Sequence, residues 1–115
     1  MNSDAQTPEE LETLFEDSLL LRDPKSLMAL FADGAVLTLS EEKSARGEDI
    51  AWLALATWDG DQTYVANPQH VIQVRDIALI VSERGINVVC RDSNGSWRYV
   101  IVYQLVRLMM ESERR

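Results

Sequence analysis

The chain has 115 residues, 46% of them hydrophobic and 26% charged, with a net charge of −8 at pH 7. That length holds one hydrophobic core, and the composition is that of a folded globular protein rather than a disordered chain. The acidic balance argues against nucleic acid and against anionic membrane surfaces as partners, because both would be repelled.

The opening "MNSDAQTPEE" has neither the basic nor the apolar region of a secretory signal, and no apolar run approaches membrane-spanning length. Cys90 is alone, so an intrachain disulfide is impossible. A cytoplasmic location is expected.

In "TPEE", Thr7 is an N-cap, Pro8 occupies the first helical position and Glu10 completes a capping box. The helix that follows buries Leu11, Leu14, Phe15, Ser18 and Leu19 at three- and four-residue spacing, with Glu12, Glu16 and Asp17 turned to water. "RDPKSLMALFADG" starts a second helix, capped by Asp23 with Pro24 in its first turn, carrying Leu27, Met28, Leu30 and Phe31 until Gly34 ends it. The corner between the two falls at Asp23, since a residue before proline avoids helical angles. Residues 35–39 read as a strand and "SEEKSARG" as an exposed loop.

The run "EDIAWLALATW", Glu48 to Trp58, is a third helix. Ile50, Leu53, Ala54 and Thr57 share one face, and Trp52, Leu55 and Trp58 widen the apolar surface. "DGDQ" stops it. The rest is β: "HVIQV", "IALIVSE", "INVVCRD" and "SWRYVIVYQLV" are separated by turn signals and predict an antiparallel meander. The order α-α-β-α-β-β-β-β describes an α+β domain spanning 1–115, with 1–6 and 108–115 as tails. Three helices cover one face of a curved, mainly antiparallel sheet of four to five strands.

Three stretches, "RDPKSLMALFADGAV", "ARGEDI" and "DSNGSWRYVI", together with this element order, resemble the SnoaL-like and ketosteroid-isomerase-like branch of the nuclear transport factor 2 superfamily. The resemblance covers residues 8 to 105 and implies a cystatin-like cone with an apolar pocket, and a homodimer through the outer sheet face. It also implies a Tyr on the first helix and an Asp at the end of the first strand as the isomerase pair. By position these fall on Phe15 and Leu39, which can neither donate nor accept a proton.

Other proton carriers are sparse. His70, the sole histidine, shares strand parity with Ile72 and Val74, and Tyr99 shares it with Trp97, Ile101 and Tyr103. The remaining carboxylates have local explanations as caps, turns or first-turn residues. No second His or Cys stands at ligand spacing, so neither a metal nor a cofactor is expected.

Three functions remain open. The first is a domain that binds an apolar or aromatic small molecule between Phe15, Leu19, Leu39, Trp52, Tyr99, Ile101 and Tyr103. The second is a cofactor-independent cyclase or isomerase using His70 or Tyr99 for proton transfer. The third is a homodimeric interaction module whose cavity is filled by its own side chains.

Overall fold

The computed structural model describes residues 4–40, 43–59, 64 and 66–105. In chain order the elements are α1 (Pro8–Leu20), α2 (Pro24–Met28), β1 (Phe31–Ser40), β2 (Lys43–Arg46), α3 (Asp49–Thr57), β3 (His70–Val74), β4 (Ile77–Ser82), β5 (Gly85–Arg91) and β6 (Trp97–Gln104). The six strands form one sheet in the order β2-β1-β6-β5-β4-β3. All neighbours pair antiparallel except β1 and β6, which run parallel. The α+β class and the meander β3 to β6 agree with the sequence reading. The sheet has one strand more than expected, because β2 lies within the stretch read as a loop.

α1 starts as its sequence dictates. The Thr7 hydroxyl accepts from the Glu10 amide at 3.0 Å, and the Glu10 carboxylate reaches back to the Gln6 amide at 2.6 Å. It ends in a reciprocal cap: the Asp23 amide donates to the Ser18 carbonyl and the Arg22 amide to that of Leu19. Arg22 sits at φ 55, a left-handed position usually given to glycine. The Asp23 carboxylate then caps α2 through the Lys25 and Ser26 amides and the Ser26 hydroxyl, whose hydrogen bond holds Asp23 below its ordinary pKa.

α2 is shorter than predicted. It stops at Met28, and Leu30 enters the core from the turn that follows and Phe31 from the start of β1, not from a helix. Gly34, at φ 77, lies where the β1–β6 register shifts between Phe31 and Val36, so it bends a strand instead of ending a helix.

Two expected tails fare differently. Ala5 is buried and bridges Trp97, whose amide donates to its carbonyl at 3.0 Å, so the N-terminal segment is tied down there. The expected tail at 108–115 lies outside the described residues.

The core runs between the helices and the inner sheet face. It contains Leu11, Phe15, Leu27, Leu37, Ile50, Ile80, Val89, Tyr99 and Val102, each less than 2% exposed. No described helix is long and apolar enough to cross a membrane.

Candidate functional site

The inner face of the sheet and α1 meet in a cluster of rings. Phe15 stands at its centre, with ring centroids of Tyr64 at 4.8 Å, Tyr99 at 5.3 Å, Trp58 at 5.8 Å and Phe31 at 6.0 Å. All four contacts are edge-to-face, the arrangement in which ring quadrupoles attract.

Into this apolar setting α1 delivers a carboxylate. Glu12 is 1% exposed. Its Oε1 accepts from the Tyr64 hydroxyl at 2.5 Å, and its Oε2 from the Tyr99 hydroxyl at 2.8 Å and the Asn87 amide nitrogen at 2.7 Å. Asn87 is oriented in turn by Gln104, whose amide nitrogen donates to the Asn87 oxygen at 2.9 Å. No ion pair joins Glu12 to a cation among the described residues. Its donors are two phenols and an amide, and no buried polar side-chain atom among the described residues lacks a partner.

The electrostatics follow from this burial. Loss of hydration pushes the Tyr99 phenol well above its ordinary pKa, and the adjacent Glu12 carboxylate pushes it further. Tyr64 is raised by the same two causes in the same order. Both phenols are thereby held as hydrogen-bond donors.

The reading of Glu12 as a solvent-facing residue is corrected. The signal was present in the spacing: Glu12 lies four residues after Pro8, three before Phe15 and seven before Leu19, all of them buried. A carboxylate at such a position is expected in water unless partners are known, and those partners come from positions 64, 87 and 99.

The expected wall residues divide. Phe15, Leu19, Leu39 and Tyr99 are interior, each at most 5% exposed. Trp52 is 66% exposed because α3 turns Ile50, Ala51, Ala54 and Leu55 inward and leaves position 52 on its outer side. Ile101 and Tyr103 are 39% and 44% exposed and lie on the outer sheet face. Their placement comes from a bulge: Val89 pairs with Tyr99 and Val88 with Ile101, leaving Val100 as an extra residue that reverses the alternation of β6. Val102 and Gln104 therefore take the inner positions that simple alternation gives to Ile101 and Tyr103.

The two candidate proton carriers are separated. Tyr99 belongs to the Glu12 cluster on β6, whereas His70 is exposed on the edge strand β3, on the outward parity of Ile72 and Val74. Three strand spacings, about 14 Å, and the thickness of the sheet lie between them. Two further carboxylates are occupied locally: Asp76 pairs with Arg91 at 2.7 Å, and Asp92 holds the Asn94 and Ser96 amides and the Arg98 guanidinium. Burial, with Asp92 nearby, pushes the Cys90 thiol up and away from its nucleophilic form. No group of three or more His, Cys, Asp or Glu among the described residues is arranged to hold a metal.

Solved proteins described as nuclear transport factor 2-like and ketosteroid isomerase-like, with a cystatin-like fold, share this α+β arrangement. A ketosteroid isomerase-like protein from Erwinia carotovora atroseptica superposes with a TM-score of 0.61 at 17% identity, covering 83% of this chain and 89% of its own. A nuclear transport factor 2-like protein with a cystatin-like fold from Novosphingobium aromaticivorans gives 0.64 at 13%, covering 92% and 83%. A candidate calcium/calmodulin-dependent protein kinase type II association domain from Thiobacillus denitrificans gives 0.67 at 17%, covering 89% and 96%. No family model and no curated relative matches the sequence. At these identities the likeness is one of fold.

Proposed function

We propose that this protein is a homodimeric small-molecule-binding domain in which Glu12 anchors the ligand. The observation that carries the reading is a carboxylate 1% exposed, held by neutral donors inside a cluster of five rings. Withdrawing a carboxylate from water costs several kcal/mol, and a core that required only packing is served better by a leucine. Rings around a single strong acceptor favour a flat, mostly apolar molecule carrying one hydrogen-bond donor. Phe15 and Leu39, in place of the isomerase pair, favour binding over that reaction, and the exposure of His70 removes support from a His70-driven cyclase.

The test is a thermal-shift panel of aromatic phenols, alcohols and amines, each beside its parent hydrocarbon. Donor-bearing compounds should raise the Tm in a concentration-dependent way, because a ligand that prefers the folded state stabilises it by mass action. Glu12→Gln should remove the preference for donors. If donors and hydrocarbons act alike, or none acts, the reading fails.

The dimer half of the reading is supported by the outer sheet face. Ile72, Ile77, Ile86, Ile101 and Tyr103 are 39–56% exposed there, on four adjacent strands. Although the chain carries 19 acidic residues, none occupies an outward position of β3 to β6. A face cleared of like charge can meet its own copy about a two-fold axis.

A further inference from the structure

The two oxygens of Glu12 are served differently. Oε2 is held by the sheet, through Tyr99 on β6 and through Asn87 on β5, which Gln104 fixes. Oε1 is served, among the described residues, by Tyr64, which belongs to no helix or strand and lies on the connection between α3 and β3. The Tyr64 ring packs edge-on against both Phe15 and Trp58, at 4.8 and 5.2 Å, rings that touch each other at 5.8 Å, and it is 7% exposed where Glu12, Asn87 and Tyr99 are 1% or less. It is therefore the outermost donor of the three. Without that side chain, Glu12 would present one oriented acceptor oxygen at the end of an aromatic slot the size of a phenol ring.

We propose, resting on the reading of Glu12 as the ligand's anchor, that this slot is a subsite for a phenol headgroup and that Tyr64 is its built-in occupant, displaced when a phenolic ligand binds. The chain supplies a 4-alkylphenol to itself, with the same donor and the same ring that the ligand brings. Two consequences follow from competition for one acceptor. The ligand's apparent affinity is lowered by the fraction of molecules in which Tyr64 is seated, and weakening the seat must tighten binding. Specificity for a hydroxyl over a bare ring resides in Oε1, because a hydrocarbon in the slot leaves that oxygen without its donor.

The experiment titrates 4-ethylphenol, with ethylbenzene as the donor-free control, into the wild type, Tyr64→Phe and Tyr64→Ala, following affinity by calorimetry. The three tyrosine ring signals, at 64, 99 and 103, are followed by NMR. Tyr64→Phe keeps the ring but loses the hydroxyl and should bind 4-ethylphenol about tenfold more tightly than the wild type. Tyr64→Ala should bind at least as tightly as Tyr64→Phe, prefer the phenol over ethylbenzene, and lose that preference when Glu12→Gln is added. In the wild type, the Tyr64 ring signals should move toward those of an exposed tyrosine as ligand is added.

Should Tyr64→Ala fail to fold, Tyr64→Phe and the wild-type ring signals decide the matter. Affinity unchanged by Tyr64→Phe, or wild-type binding that leaves the Tyr64 ring in place, overturns the displacement proposal while leaving the Glu12 reading intact. No binding of the phenol to any of the three proteins overturns both.

Discussion

A carboxyl group drawn out of water into a ring-lined interior is tolerated only where donors replace its hydration shell, and at Glu12 two phenols and an amide do so. Glu12→Gln keeps the volume but puts an amide nitrogen against groups that themselves donate. At least one donor then loses its acceptor, and the expected cost is about 1–3 kcal/mol in urea unfolding with an unchanged slope. A stability equal to wild type would show that the carboxylate is not what organises the cluster.

The phenols make a second prediction, in pH. Tyr64 and Tyr99 both have pKa values raised in the folded state above the unfolded value of 10.0, first by burial and then by Glu12. Above pH 10 the unfolded chain releases these protons while the folded chain keeps them, so the unfolded state is favoured as pH rises. Their contribution is complete below about pH 10 and is lost from there upward toward the folded pKa values, by as much as about 1.4 kcal/mol per pH unit for each phenol. Urea midpoints measured from pH 8 to 11 should stay flat and then fall, less steeply in Tyr99→Phe. A flat profile throughout would contradict the burial of both groups.

At the scale of the element, β6 decides which side chains reach the interior. Its inner set is Trp97, Tyr99, Val102 and Gln104, a sequence of positions that only a bulge at Val100 can produce. The pairing on its far side depends on Gly85, opposite Gln104, where a Cβ would lie 1.9 Å from the Tyr103 carbonyl oxygen. The backbone of one strand would have to move to accommodate it. Gly85→Ala is expected to cost about 1–3 kcal/mol, and so to lower the Tm by several degrees in a circular-dichroism melt. An unchanged melt would mean that the two strands pair more loosely there. Because Gln104 orients Asn87, the same substitution should also weaken the ligand binding proposed at Glu12.

The molecule as a whole presents two features to explain, an interior with a single carboxylate among the described residues and an outer sheet face with almost no charge. The second should close against a copy of itself. Sedimentation at micromolar concentration is expected to give about twice the 13.0 kDa chain mass. Ile101→Lys, in the middle of the face, should return the monomer mass while the circular-dichroism spectrum is kept. A wild-type monomer at those concentrations would discard the dimer. Cys90 also points outward from β5 and offers a check, since its labelling by a thiol reagent should slow in the wild type relative to Ile101→Lys.

The sequence by itself determined what local forces decide. Thr7 and Pro8 start α1, Asp23 and Pro24 start α2, and the β-rich last third forms a meander, because caps, proline geometry and period-two patterns act over a few residues. The tertiary structure alone decided the rest. It decided that Glu12 faces inward, that Val100 reverses the faces of Ile101 and Tyr103, and that Trp52 stays outside. The physical reason is range: a carboxylate can be buried only when Tyr64, Asn87 and Tyr99, 52, 75 and 87 residues away, arrive to donate to it. No window of neighbouring residues contains that condition.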